Sequence, residues 1–256
     1  MKSIYKQAFQ FSLWMLPIGI LGGILVGINS WSMFNEEIRN QIIAQMPKEA
    51  FILILVLQVG LLYAGIMGFF GYILASKVNL LKKLTFTKRN IFTALFSGIL
   101  AALLLFLPDY FLFSNQLPEV AAVYTKENFS PLNLITSVIY GGILEEIMMR
   151  LFVMSLLVFI LWKLFARSKT KEHIPVWIFI IANIGAALLF AAGHLPATAM
   201  LFGHLDTLIL IRCFILNSIP GLIFGWLYWK HGLHYAMIAH AFTHVTIYVI
   251  LYLFIF

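Results

Sequence analysis

The chain has 256 residues, of which 62% are apolar and only 11% charged. Soluble domains run at roughly 45–50% apolar and about 25% charged, so no single core of this size could hide so much apolar surface. A soluble globular domain, a disordered chain and a disulfide scaffold are excluded, the last also because Cys213 is the only cysteine. The net charge of +7 comes from 17 Lys and Arg against 10 Asp and Glu. The basic residues sit in short gaps between apolar runs, as topology determinants do, and form no stripe for nucleic acid.

About 20 apolar residues cross the hydrocarbon of a bilayer. The sequence offers seven such runs, over 9–29, 51–76, 91–107, 132–162, 175–194, 207–229 and 232–256. The first follows Lys2 and Lys6 in the manner of a signal peptide. It is too long for a signal core and lacks a small-x-small cleavage site, so it reads as a retained span. The segment from Asn35 to Lys48 reads equally as an interfacial amphipathic helix or a solvated loop. The third run ends at Pro108, which should stop its helix. The fourth is long enough to tilt or project, and a short piece over 196–203 could re-enter the membrane. Gly19-x-x-x-Gly23 and Gly221-x-x-x-Gly225 permit close helix packing. The expectation is an all-α transmembrane bundle of about seven spans. Spans one to three occupy residues 1–130, and spans four to seven form the core carrying the site, residues 131–256.

Charge orients this bundle. With the N-terminus inside, the inner segments hold Lys2, Lys6, Lys77, Lys82, Lys83, Lys88, Arg89, Lys163, Arg167, Lys169, Lys171 and Lys230. The outer segments hold only Arg39, Lys48 and Lys126. That asymmetry favours N-in, C-out by the positive-inside rule.

An ionisable residue at mid-membrane costs roughly 2.5–3.5 kcal/mol on insertion scales, so such residues face the bundle interior and mark function. The fourth run contains Glu145, Glu146 and Arg150. Glu146 and Arg150 are spaced i,i+4 and can pair. Glu145 points about 100° away around the helix, with Met149 rather than a cation at i+4, which suits a general base. The fifth run ends Phe190-Ala191-Ala192-Gly193-His194. In the seventh, His240 and His244 share one helix face, a spacing also found in helical metal sites. His173, His204, His231 and His234 lie near span ends. Asp206 and Arg212 lack a comparable partner pattern and read as structural. A carboxylate with imidazoles can activate water directly or through Zn²⁺.

At these residues the chain resembles the CPBP family, the type II CAAX prenyl proteases and bacteriocin-processing, Abi-like intramembrane proteases. Glu145-Glu146-x-x-x-Arg150 and Phe190-x-x-x-His194 match two of its motifs. The run Gly221 to His240 leads into the third, where His240-x-x-x-His244 stands on a His-x-x-x-Asn pattern. The resemblance covers residues 132–250 and implies peptide-bond hydrolysis in the membrane, acting on a membrane-embedded or lipidated peptide or protein. It implies that Glu145 and His194 hold and activate water. His240 and His244 would stabilise the oxyanion, and Glu146 with Arg150 would fix the geometry. A metal version would use His194, His240 and His244 around zinc. The family often has Asn where this chain has His244, which leaves the metal-free and metal versions both open. The implied location is the cell membrane of a prokaryote.

Two other readings compete, a proton-coupled transporter using the same charges as a relay and a non-enzymatic scaffold or immunity protein of the same fold. Helix rise places Glu145 about 20 Å and His240 about 18 Å below the outer surface, nearer the inner face. That depth suits the cytosolic access expected of CAAX proteases. His194 comes out more than about 10 Å too shallow, so either the fourth helix projects or the fifth ends inside the membrane.

Overall fold

The structure, a computed structural model, describes residues 3–126 and 128–256; Lys2, assigned above to the inner side, lies outside the described residues. Every regular element among the described residues is helical. Seven helices are long and apolar enough to span a bilayer: Ile4–Met33, Lys48–Lys77, Lys88–Gln116, Pro131–Phe165, Val176–Phe202, Thr207–His231 and Leu233–Phe254. They are called spans one to seven below. The chain is an integral, multi-pass membrane protein. Large apolar side chains such as Trp14, Phe92 and Phe96 point outward, whereas Glu146, Arg150, Tyr228 and Tyr235 are buried. This distribution suits a bundle whose solvent is lipid.

Residues 35–48 hold a helix, Glu36–Ile43, with Asn35 as its cap: the side-chain oxygen accepts from Ile38 N at 2.8 Å. No residue of that helix is buried. Arg39 turns back on the first span and donates to the carbonyls of Trp31 and Ser32, both at 3.1 Å. These carbonyls are among the unpaired acceptors that end any helix.

Pro108 does not end the third span. The helix widens into a π coil over Asp109–Phe113 and continues to Gln116. Proline removes a donor and crowds the preceding turn, and a wider coil carries the chain past it. Asp109 then meets Arg212 in a bidentate pair at 2.6 and 2.7 Å. Tyr124 donates to Asp109 at 2.9 Å; burial, and then the carboxylate, push its phenol well above the ordinary tyrosine range. Arg212 therefore has a partner after all, on a different helix, and its structural role stands. Asp206 caps the sixth span by accepting from Ile209 N at 2.8 Å.

With little hydrophobic drive between helices in lipid, small residues set how closely the spans approach. A Cβ on Gly19 would meet Ala64 at 2.7 Å, and one on Gly23 would meet Val56 Cα at 2.6 Å. Between spans five and six, Gly221 faces Ala187, and Gly225 leaves room for the Asn183 amide, which donates to Leu222 O at 3.0 Å. Both spaced glycine pairs are thus close-packing faces. Spans six and seven are joined through Gly232 at φ 110°, a conformation that favours glycine.

The fourth span is the most buried of the seven. At 35 residues it is about 50 Å long, more than the hydrocarbon thickness. It starts at Ser130-Pro131, where the serine hydroxyl accepts from Asn133 N at 3.2 Å. Its coil is π over Ser137–Glu145 and again over Ile147–Met154, a rare geometry that recurs at functional sites.

Candidate active site

Two glycines precede the two glutamates of the fourth span and bring it against the seventh. A Cβ on Gly142 would lie 2.7 Å from Ala241 Cβ and 3.0 Å from its Cα. A Cβ on Gly141 would lie 2.8 Å from His244 Nε2 and 3.4 Å from His240 Nε2. Both imidazoles therefore rest on bare backbone. Gly142→Leu is expected to wedge the spans apart, costing about 1–3 kcal/mol as overpacking does. Thermal melting in detergent checks this; a Gly142→Leu protein that melts normally contradicts the packing.

The two glutamates, adjacent in sequence, have different surroundings. Glu146 is wholly buried. Its Oε2 lies 3.4 Å from Arg150 Nε, and its Oε1 accepts from His240 Nδ1 at 2.9 Å. Arg150 also donates to Gly221 O at 3.1 Å. Its guanidinium sits 5.3 Å from the Phe190 ring centre and 5.8 Å from that of Phe224. Aromatic faces attract a cation that has left water, and they fill directions in which it has no acceptor.

Glu145 faces the other way. Its carboxylate oxygens lie 4.0 Å from His194 Nε2 and 4.0 Å from His240 Nε2. Both histidines have their second nitrogen committed. His240 Nδ1 donates to the Glu146 carboxylate, and His194 Nδ1 donates to Phe190 O at 2.8 Å. Such a bond fixes ring orientation and leaves Nε2 for chemistry.

The His194 arrangement follows from the local sequence. The fifth span breaks at this residue: its N–H bonds to Ala191 O, three residues back, and Pro196 stands in the first turn of the next piece, Leu195–Phe202. The tightened turn leaves the Phe190 carbonyl to the histidine ring. The helix then continues eight residues to Phe202, so the 196–203 piece is a kinked continuation of the span. His194 therefore lies about 12 Å inside its own helix end. The overlong fourth helix and this continuation together resolve the depth mismatch.

His240 stacks on Phe224 at 4.5 Å and 19°, and His244 stacks on His240 at 5.1 Å and 25°. Phe190 meets His194 edge-on at 4.5 Å. Glu145, His194, His240 and His244 line one cavity of about 290 Å³. Glu146 and Arg150 stand behind it. Phe224 contacts both Arg150 and His240 yet carries no mark in the sequence, being one of 24 phenylalanines. Among the other histidines, His234 Nε2 bonds Thr85 O at 2.9 Å and His173 bonds Thr170 at 3.0 Å, both away from the cavity.

The donor types suit zinc: the imidazoles of His194, His240 and His244 beside the Glu145 carboxylate in one cavity, and Glu146 behind His240 as carboxylates often stand behind metal-bound histidines. The 4.0 Å separations exceed the about 3.4 Å expected between ligands on one tetrahedral ion. As placed, no three His, Cys, Asp or Glu among the described residues converge on a common point.

Residues 127–246 match the protein family described as Type II CAAX prenyl endopeptidase Rce1-like. Comparison with curated proteins and with solved structures returns no match.

Proposed function

We propose, from the match of residues 127–246 to the Rce1-like type II CAAX prenyl endopeptidase family, that the chain hydrolyses a peptide bond of a membrane-associated substrate, with Glu145 as the base. The observation that carries this reading is the carboxylate of Glu145 facing two imidazole nitrogens at 4.0 Å. That gap is too wide for a direct hydrogen bond and wide enough for a bridging water.

Water held between Glu145 and His194 Nε2 attacks the carbonyl carbon and passes its proton to Glu145. The carbonyl oxygen becomes an oxyanion, met by the ring N–H of His244 and, in its protonated form, by His240 Nε2–H. Preorganised donors of this kind usually supply the largest single contribution. Glu145 then returns the proton to the amide nitrogen as the C–N bond breaks. Glu146 and Arg150 keep the His240 ring in place. Zinc held by His194, His240 and His244 would supply Lewis-acid polarisation of the same carbonyl and leave Glu145 as the base.

The test is hydrolysis in oxygen-18-labelled water by the purified full chain with membrane-anchored peptides. One labelled oxygen in each new carboxyl terminus is the expected result. No cut product across a broad peptide set returns the chain to the scaffold reading.

His244→Asn separates the two chemistries. Asparagine keeps a donor but is a poor ligand, so activity should stay within about tenfold, an effect of roughly 1.4 kcal/mol or less. Elemental analysis runs beside it. Near-stoichiometric zinc in the wild type, lost together with activity in the variant, would replace the metal-free scheme.

A further inference from the structure

The helix ends fall into two sets at opposite ends of the bundle. One end collects Lys6, the 77–89 and 163–176 connections and the 231–233 turn. It is tied by His234 Nε2 on Thr85 O at 2.9 Å and by Tyr72 donating to Gln7 at 3.3 Å. The other end collects the 34–47, 117–130 and 203–206 connections. It is tied by Tyr252 donating to Phe129 O at 2.9 Å and by Asn133 donating to Met33 Sδ at 3.6 Å. Among the described residues, and leaving aside the buried pairs of Arg150 and Arg212, every Lys and Arg lies at the first end except Arg39, Lys48 and Lys126 at the second. The positive-inside rule makes the first end cytoplasmic.

Among the described residues, the lining of the cavity reaches the second end and not the first. From Glu145 and the histidines it runs past Ser137 and Asn217 to Asn133, Asn29 and Ser30. Ser30 lies within one turn of the end of the first span, and Asn133 within one turn of the start of the fourth. Toward the cytoplasmic end, Arg150, Met154, Phe224 and Tyr228 close the bundle, each 1% exposed or less. The lining of amides and hydroxyls toward the mouth suits a peptide backbone more than a hydrocarbon chain.

We propose that the site opens on the non-cytoplasmic face and takes peptide segments presented from that side. Resting on the endopeptidase reading above, this makes the substrate an exported or membrane-anchored peptide cut on its outer flank. It reverses the cytosolic access that the resemblance implies. The depth of Glu145 does not decide the matter, because a residue below mid-membrane can still be served by a channel from above.

Single added cysteines test the facing in the full chain, with the buried Cys213 left in place. Glu37→Cys marks the outer connections, Ser137→Cys the cavity and Lys169→Cys the basic end. A membrane-impermeant maleimide should label Glu37→Cys and Ser137→Cys in intact bacterial cells, and Lys169→Cys only in inverted vesicles. Labelling of Ser137→Cys only in inverted vesicles, or from neither side while Glu37→Cys reacts, overturns the proposal. So does labelling of Lys169→Cys in intact cells with Glu37→Cys protected. The readout needs no turnover, so a chain without hydrolysis in labelled water would sink the endopeptidase reading and leave the facing measurable.

Discussion

Glu145→Gln is expected to lower peptide hydrolysis by about 10²–10⁴-fold, the usual share of a general base, while leaving yield and melting unchanged. Glutamine fills the same volume, and its amide can still face the two imidazole nitrogens that stand 4.0 Å from the carboxylate. What it cannot do is take a proton from water. The pair behind it is untouched: Glu146 keeps Arg150 at 3.4 Å and His240 at 2.9 Å. The neighbouring Glu146→Gln should behave differently, weakening both contacts and lowering stability as well as rate. Two identical adjacent side chains thus give different variants, because one faces the cavity and the other faces a guanidinium. Turnover of purified Glu145→Gln at the wild-type rate would remove Glu145 from the mechanism.

Seven apolar runs are legible because span length is set by bilayer thickness, which a window of residues measures directly. Ends are less so: the fifth span runs past the kink at His194 to Phe202, and the third passes Pro108 on a π coil. Local rules treat proline as a stop, whereas a bundle can hold the chain helical beyond it. The i,i+4 spacing within a helix exposes the Glu146–Arg150 pair. It cannot expose partners on other helices. Hence Asp109 with Arg212 and Glu146 with His240 appear only in three dimensions. Of the two aromatic walls, Phe190 stands in a motif of the sequence, whereas Phe224 was hidden, since its role comes from lying between His240 and Arg150. His194 was visible as a helix-end histidine, but the carbonyl that orients it became clear only with the tightened turn at Ala191.

Arg150→Ala should destabilise the protein by about 3–5 kcal/mol, the usual cost of removing one partner from a buried ion pair, and lower its yield in the membrane. Arg150 is 1% exposed and Glu146 fully buried, so no water can take over the guanidinium's role. The loss spreads further than one contact. Arg150 also holds Gly221 O at 3.1 Å on the sixth span, and its face lies against Phe190 and Phe224. Its removal leaves a cavity between three spans and a carboxylate whose remaining donor is His240. Activity should then fall through the displaced imidazole as well as through lost protein. The double change Glu146→Gln with Arg150→Met separates charge from chemistry: it removes the unpaired carboxylate and refills the volume, so much of the yield should return. Hydrolysis should stay low in that protein, since an amide holds His240 less firmly than a carboxylate does. Membrane yield and thermal melting of the single and double variants check both steps. If Arg150→Ala expresses and melts like the wild type, Arg150 does not support the site.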